Sequence, residues 1–125
     1  MKTINLVIER QGGQFWGRTI IEDDLLTDYA DTKEELKTKI HNLAIDFHGQ
    51  EYQHVRFDVE YDLEAFFDEF KELKTIEIAH ITGLDPTLVH QYALGEKTAT
   101  AIQVQKIEDA VHDLGRRLQA VKLNG

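Results

Sequence analysis

Three sets of side chains in this 125-residue sequence are of types that could do chemistry. Glu9, Asp58 and Glu60 are carboxylates of the kind that converge on a metal in hydrolytic nucleases. Each is out of phase with the apolar residues Ile8, Phe57 and Val59, so each belongs to the solvated face of a half-buried strand. They do not form a nucleophile, base and electrophile set, and the expectation is that the protein is not an enzyme. His41, His48, Glu51 and His54 are metal-ligand types, but their spacing matches no zinc pattern and they read as surface side chains. The chain has no cysteine, which excludes disulfides, thiolate metal sites and cysteine nucleophiles. No metal or cofactor is expected. The third set is Thr87, His90 and Gln91. Gln91 could hydrogen-bond adenine bidentately, Thr87 could meet a thymine methyl or a phosphate, and His90 could reach an acceptor.

Such a set reads DNA only if a helix presents it to a groove, and the surrounding residues predict that helix. The first helix of a helix-turn-helix is expected over Thr75 to Thr82, with Ala79 at the close crossing and Ile76, Ile78 and Ile81 supplying apolar bulk. Gly83 is the turn residue, free to take positive φ, and Leu84 plugs the core. Asp85 caps the second helix, Pro86 takes its first position, Val89 faces inward and Gly95 ends it. The recognition helix therefore runs from Pro86 to about Leu94. An ordinary helical hairpin is the plainer reading, but Ala79, Gly83, Val89 and Gly95 together are more specific than any one of them. No Arg or Lys lies between Lys74 and Glu96. Phosphate contacts would fall to Lys97, with Lys74, Arg116 and Arg117 as further candidates.

A last helix opens at Thr100, with Gln103 completing a capping box. Val104, Ile107, Val111, Leu114, Leu118 and Val121 follow at heptad steps and predict a dimerisation seam. The alternative is a helix packed on its own domain.

Ahead of these elements the pattern is different. Ile4, Leu6 and Ile8 have strand period, Gln11-Gly12-Gly13 is a hairpin signal, and Gln14 to Ile21 is strand-favouring. Glu22-Asp23-Asp24 reads as a polar loop and Leu25 to Ala30 as a short third strand. Thr32 and Glu35 form a capping box for a helix whose inner face carries Leu36, Ile40, Leu43, Ala44 and Phe47. Val55, Phe57, Val59 and Tyr61 alternate as a fourth strand, which a crossover helix should lay parallel to a neighbour. After Asp62, a good N-cap, the pattern is helical. The expected class is α+β: a β-β-β-α-β domain over residues 1–61, then an all-α domain over residues 62–125.

The formal net charge is −9. The stretch up to Tyr61 carries 7 basic and 12 acidic groups, and the remainder 7 and 11. A nucleic-acid binder usually shows a basic footprint, which this chain lacks globally; the acidity also permits a different partner, a basic protein. No apolar run approaches the length of a membrane helix and the first residues lack a signal-peptide pattern. The expectation is a cytoplasmic protein with no membrane partner.

Tyr61-Asp62-Leu63, Phe66-Phe67, Ala79 with Gly83-Leu84, Gln91-Tyr92-Ala93-Leu94-Gly95, Lys106-Ile107-Glu108 and His112-Asp113-Leu114-Gly115 give the chain a resemblance to the HicB family of antitoxins, in the variant with a helix-turn-helix tail. The resemblance runs over essentially the whole chain. It implies that residues 1–61 form a partial ribonuclease-H-like domain without nuclease activity, and that this domain covers a small basic RNA-cleaving toxin. It also implies that the tail binds operator double-stranded DNA as a homodimer. The sequence departs from the family around Asp24 to Asp31, where the usual proline-glycine element is missing. That departure leaves toxin contacts unassigned and keeps open a stand-alone regulator. The alternative from another class is an interaction and oligomerisation module that does not bind DNA.

Overall fold

Strict alternation of apolar and polar residues builds the first sheet. Strands β1 (Lys2–Gln11), β2 (Gln14–Ile21) and β3 (Asp24–Ala30) run antiparallel, and β4 (Val55–Tyr61) lies parallel to β1. The sheet order is β3-β2-β1-β4. Gly12 and Gly13 both take positive φ between the paired residues Gln11 and Gln14, as a two-residue hairpin turn requires. The β2–β3 connection is tighter than the expected polar loop. Glu22 (φ 50°) and Asp23 (φ 74°) form the turn without glycine, so β3 begins at Asp24.

Helix α1 (Lys33–His48) covers one face of this sheet. Thr32 caps it by accepting from the Glu35 amide at 3.1 Å, but the Glu35 carboxylate lies 3.9 Å from the Lys39 ammonium. Only half of the expected capping box forms. Leu36, Ile40 and Ala44 are fully buried against Ile4, Leu6, Ile8, Phe15, Ile21, Leu26 and Ala30. Each buried leucine or isoleucine contributes about 1.5–3 kcal/mol relative to exposure. Phe47, expected on this inner face, is 67% exposed; in the last turn it is the His48 side chain that is buried, against the β2–β3 turn.

The computed structural model describes all 125 residues, and the chain divides into two compact units, Met1–Phe66 and Phe67–Gly125. The architecture is α+β, a four-stranded mixed sheet with five α-helices. The division falls later than Tyr61 for a reason the hydrogen bonds supply. The Asp62 amide donates to the Ile8 carbonyl at 3.0 Å, and Ala65, in helix α2 (Leu63–Glu69), is part of the first core. The second unit carries α3 (Thr75–Thr82), α4 (Pro86–Ala93) and α5 (Ala101–Gln119), with Ile78, Ala79, Val89, Tyr92 and Ile107 buried. No helix is long and apolar enough to cross a membrane.

His48 is not the surface histidine expected. Its side chain is only 5% exposed, with Nδ1 2.8 Å from Glu22 Oε2 and Nε2 3.1 Å from Asp24 Oδ2. The second contact is close but off-line, so Nε2 forms no well-aligned hydrogen bond. Tyr52 meets the imidazole edge-on, with ring centroids 6.1 Å apart. The two carboxylates approach opposite ring nitrogens and cannot converge on one ion, so this is a latch between the end of α1 and the β2–β3 turn. His41 Nε2 lies 2.7 Å from the Tyr52 carbonyl and is likewise partly buried.

Asp62 caps α2 by accepting from the Ala65 amide at 2.8 Å, and its other oxygen lies 3.4 Å from the Arg10 amide. Burial raises its carboxyl above the ordinary 3.8, opposed by the hydrogen bonds from Ala65 and Arg10 and assisted by the charge of Glu9. The folded chain therefore holds this proton to higher pH than the unfolded chain. The contribution of Asp62 to stability falls as pH rises through the window above 3.8. Asp62→Asn keeps a capping oxygen and removes the charge. The urea-unfolding free energy of the variant relative to wild type should rise between about pH 3.5 and about pH 6.5. A difference that is flat or falls across this range would contradict the assignment.

Candidate nucleic-acid interface

The α3–α4 pair is built by short-range rules. Gly83 takes φ 76° and donates to the Ala79 carbonyl at 2.9 Å, closing α3 in the left-handed conformation that glycine adopts without cost. The Thr82 hydroxyl donates back to the Ile78 carbonyl at 2.8 Å and accepts from the Leu84 amide at 3.3 Å. Asp85 Oδ1 accepts from the amides of Thr87 (2.8 Å) and Leu88 (3.3 Å), and Pro86 opens α4. Ala79 is 1% exposed and Val89 is fully buried, and α3 packs on α4. Ile78 fills the core beside them. Ile76 and Ile81, expected to share that task, face outward instead, and Leu84 is half-buried.

At 3.6 residues per turn, Thr87 and Gln91 lie nearly opposite Val89 on α4. Thr87 and His90 are exposed and Gln91 is half-buried, so the three side chains share the outer side of this helix. Lys97 is exposed just beyond the helix, in the loop whose amides bond back to the Gln91 carbonyl. It makes no ion pair. Arg116 and Arg117 differ: both engage Asp113 of their own helix, at 3.8 and 3.2 Å. The unit from Phe67 onward carries seven basic and nine acidic side chains.

Sequence patterns alone did not reveal what holds α4 in place. The Tyr92 hydroxyl donates to Gln103 Oε1 at 2.5 Å, and the same oxygen accepts from the Thr100 amide at 3.2 Å. The Gln103 amide in turn donates to the Thr100 hydroxyl at 3.2 Å, so the capping box of α5 also anchors α4. The Thr100–Gln103 spacing was visible; that Tyr92 would share its acceptor was not.

The expected dimerisation seam divides. Ile107 is 2% exposed within the single chain, where α5 packs on α3, and is unavailable to a second copy. Val111 and Leu114 are half-buried, while Val104 and Leu118 are exposed. Val121 is exposed but lies past Gln119, where the helix has ended. In the first unit, Glu9 is engaged by Arg18 at 3.1 Å, and Asp58 and Glu60 lie exposed on β4. No cluster of three or more His, Asp or Glu side chains is arranged to hold a metal.

Comparison with known proteins adds no relative: no family model, no curated protein and no solved structure matches the chain.

Proposed function

We propose that the chain is a non-catalytic, cytoplasmic DNA-binding regulator of antitoxin type, with the α3–turn–α4 pair acting as a helix-turn-helix. The supporting observation is local. Ala79, Gly83, Asp85 and Val89 each do what the motif demands, and the α4 side opposite Val89 presents Thr87, His90 and Gln91. The HicB-like features of the sequence add a partner, a small basic toxin, for the first unit. That unit has fourteen acidic and seven basic side chains. A homodimer on operator DNA would use the exposed residues of the α5 stripe, Val104 and Leu118, with the half-buried Leu114 between them.

In this reading Gln91 reads a base and Lys97 holds a phosphate. Gln91→Ala should relax preference at one base pair per half-site, by about 1–3 kcal/mol of discrimination. Lys97→Ala should weaken binding to all sequences alike and flatten the salt dependence. The test is an anisotropy titration with the protein's own promoter DNA and with random duplex, at low and moderate salt. With so few basic groups near α4, affinity should be modest and fall quickly with salt. No preference for promoter DNA at low salt sinks the regulator reading.

A second reading is favoured by the same charge balance. An acidic second unit whose arginines are internally paired suits an interaction and oligomerisation module, in which α3 and α4 only support α5. Promoter preference in the titration excludes it.

A further inference from the structure

The face of the sheet turned away from α1 carries an apolar patch that the DNA reading does not use. Trp16 stacks on its cross-strand partner Tyr29 with ring centroids 4.7 Å apart. Four residues along, Ile20 pairs with Leu25 on the same face. These four side chains are 41–71% exposed. Arg18 lies between the two pairs and is the one charged side chain that β2 and β3 present on this face; Glu9 of β1 neutralises it at 3.1 Å. Two acidic residues beside the patch, Glu22 and Asp24, reach towards α1 and His48 instead. In a chain of net charge −9, β2 and β3 therefore offer a face that is both apolar and neutral.

Two observations narrow what can cover it. A basic partner would find no uncompensated carboxylate on these two strands, whereas a second copy brings to the axis only an Arg18 already neutralised by its own Glu9. Association by strand addition is obstructed at the exposed edge: the Tyr29 amide donates to Asp28 Oδ1 at 2.8 Å and its carbonyl accepts from Lys39 Nζ at 2.9 Å. We propose that this face is a self-association surface, packing face to face on a second copy of the chain. A two-fold axis across the strands at Arg18 lays the Trp16–Tyr29 pair of each copy over the Ile20–Leu25 pair of the other, an isologous contact. The four side chains supply on the order of 400 Å² per copy, about half of a standard interface, so the association is weak and in the micromolar range or above. This surface is separate from the α5 stripe and does not depend on DNA binding.

Trp16 is the only tryptophan, so its emission reports coverage of the patch directly. The experiment follows tryptophan emission and acrylamide quenching of the full chain from about 1 μM to about 1 mM, with sedimentation equilibrium in parallel. The emission maximum should move to shorter wavelength and quenching should fall as concentration rises. Ile20→Glu and Leu25→Lys, both at exposed positions, should keep the far-ultraviolet circular dichroism of the wild type and abolish the concentration dependence. Leu118→Asp should leave it intact. Wild-type emission independent of concentration overturns the proposal. So does a shift that survives both patch variants or disappears with Leu118→Asp. A cationic Lys/Leu peptide that shifts the emission of the dilute chain more than self-association does would assign the face to a basic partner and overturn it as well.

Discussion

Ile107→Ala should destabilise the second unit by about 2–5 kcal/mol, and the loss should not depend on protein concentration. Ile107 is buried within one chain, so truncation leaves a cavity in that chain's own core. Leu118→Asp provides the contrast. Leu118 is exposed near the end of α5, so aspartate there should leave the unfolding of the monomer within about 0.5 kcal/mol of wild type. Its effect should appear only in association. Urea unfolding followed by circular dichroism at two protein concentrations separates the cases. If the cost of Ile107→Ala vanishes on dilution, the residue belongs to an intermolecular seam and the packing of α5 described above is wrong.

Gly17→Val should cost the first unit about 1–3 kcal/mol. A Cβ at this position meets Leu36 Cδ2 at 3.0 Å and Leu6 Cδ1 at 3.1 Å, so the helix lies against the sheet with no room for a branched side chain. Leu36→Ala alone should cost about 2–5 kcal/mol by opening a cavity. The two changes should not add. Valine in the space vacated by Leu36 relieves its own overlap and fills part of the hole, so the double variant should be more stable than the sum of the single effects requires. Strict additivity would mean that Gly17 and Leu36 are not in contact.

These two sites mark where the sequence was legible and where it was not. Elements that announce themselves by local chemistry were readable: the Gly12-Gly13 turn, the caps at Thr32, Asp62, Asp85 and Thr100, and the Gly83 stop all lie where backbone and side-chain rules place them. The parallel pairing of β4 with β1 followed from the crossover helix between β3 and β4. Periodicity was less informative about destination. An apolar stripe on α5 reads the same whether it meets its own chain or another, and only packing distinguishes Ile107 from Leu118. Ile76, Ile81 and Phe47 fail in the same way, because apolar residues at helical spacing need not all be covered. Gly17 carries no turn signal, since its role is to leave space for a side chain nineteen positions away. In the candidate interface, the outer position of Thr87 and His90 followed from their phase relative to Val89. The pairing of Arg116 and Arg117 with Asp113 follows the i,i+3 and i,i+4 spacing of one helix and was open to reading in the sequence.

The buried imidazole at the end of α1 has a consequence for the order in which the first unit assembles. His48 and Glu22 are separated by 26 positions in sequence, and their contact requires both the finished helix and the closed β2–β3 turn. Hairpins and helices form locally and early, whereas a contact that joins their far ends waits for both. The latch is therefore expected to form late, after the transition state. His48→Ala should then raise the unfolding rate and leave the folding rate nearly unchanged in a urea chevron; a matching fall in the folding rate would place the latch in the transition state. On that expectation His48 governs how long the native turn, with its left-handed Glu22 and Asp23, persists once made, rather than how quickly the chain finds it.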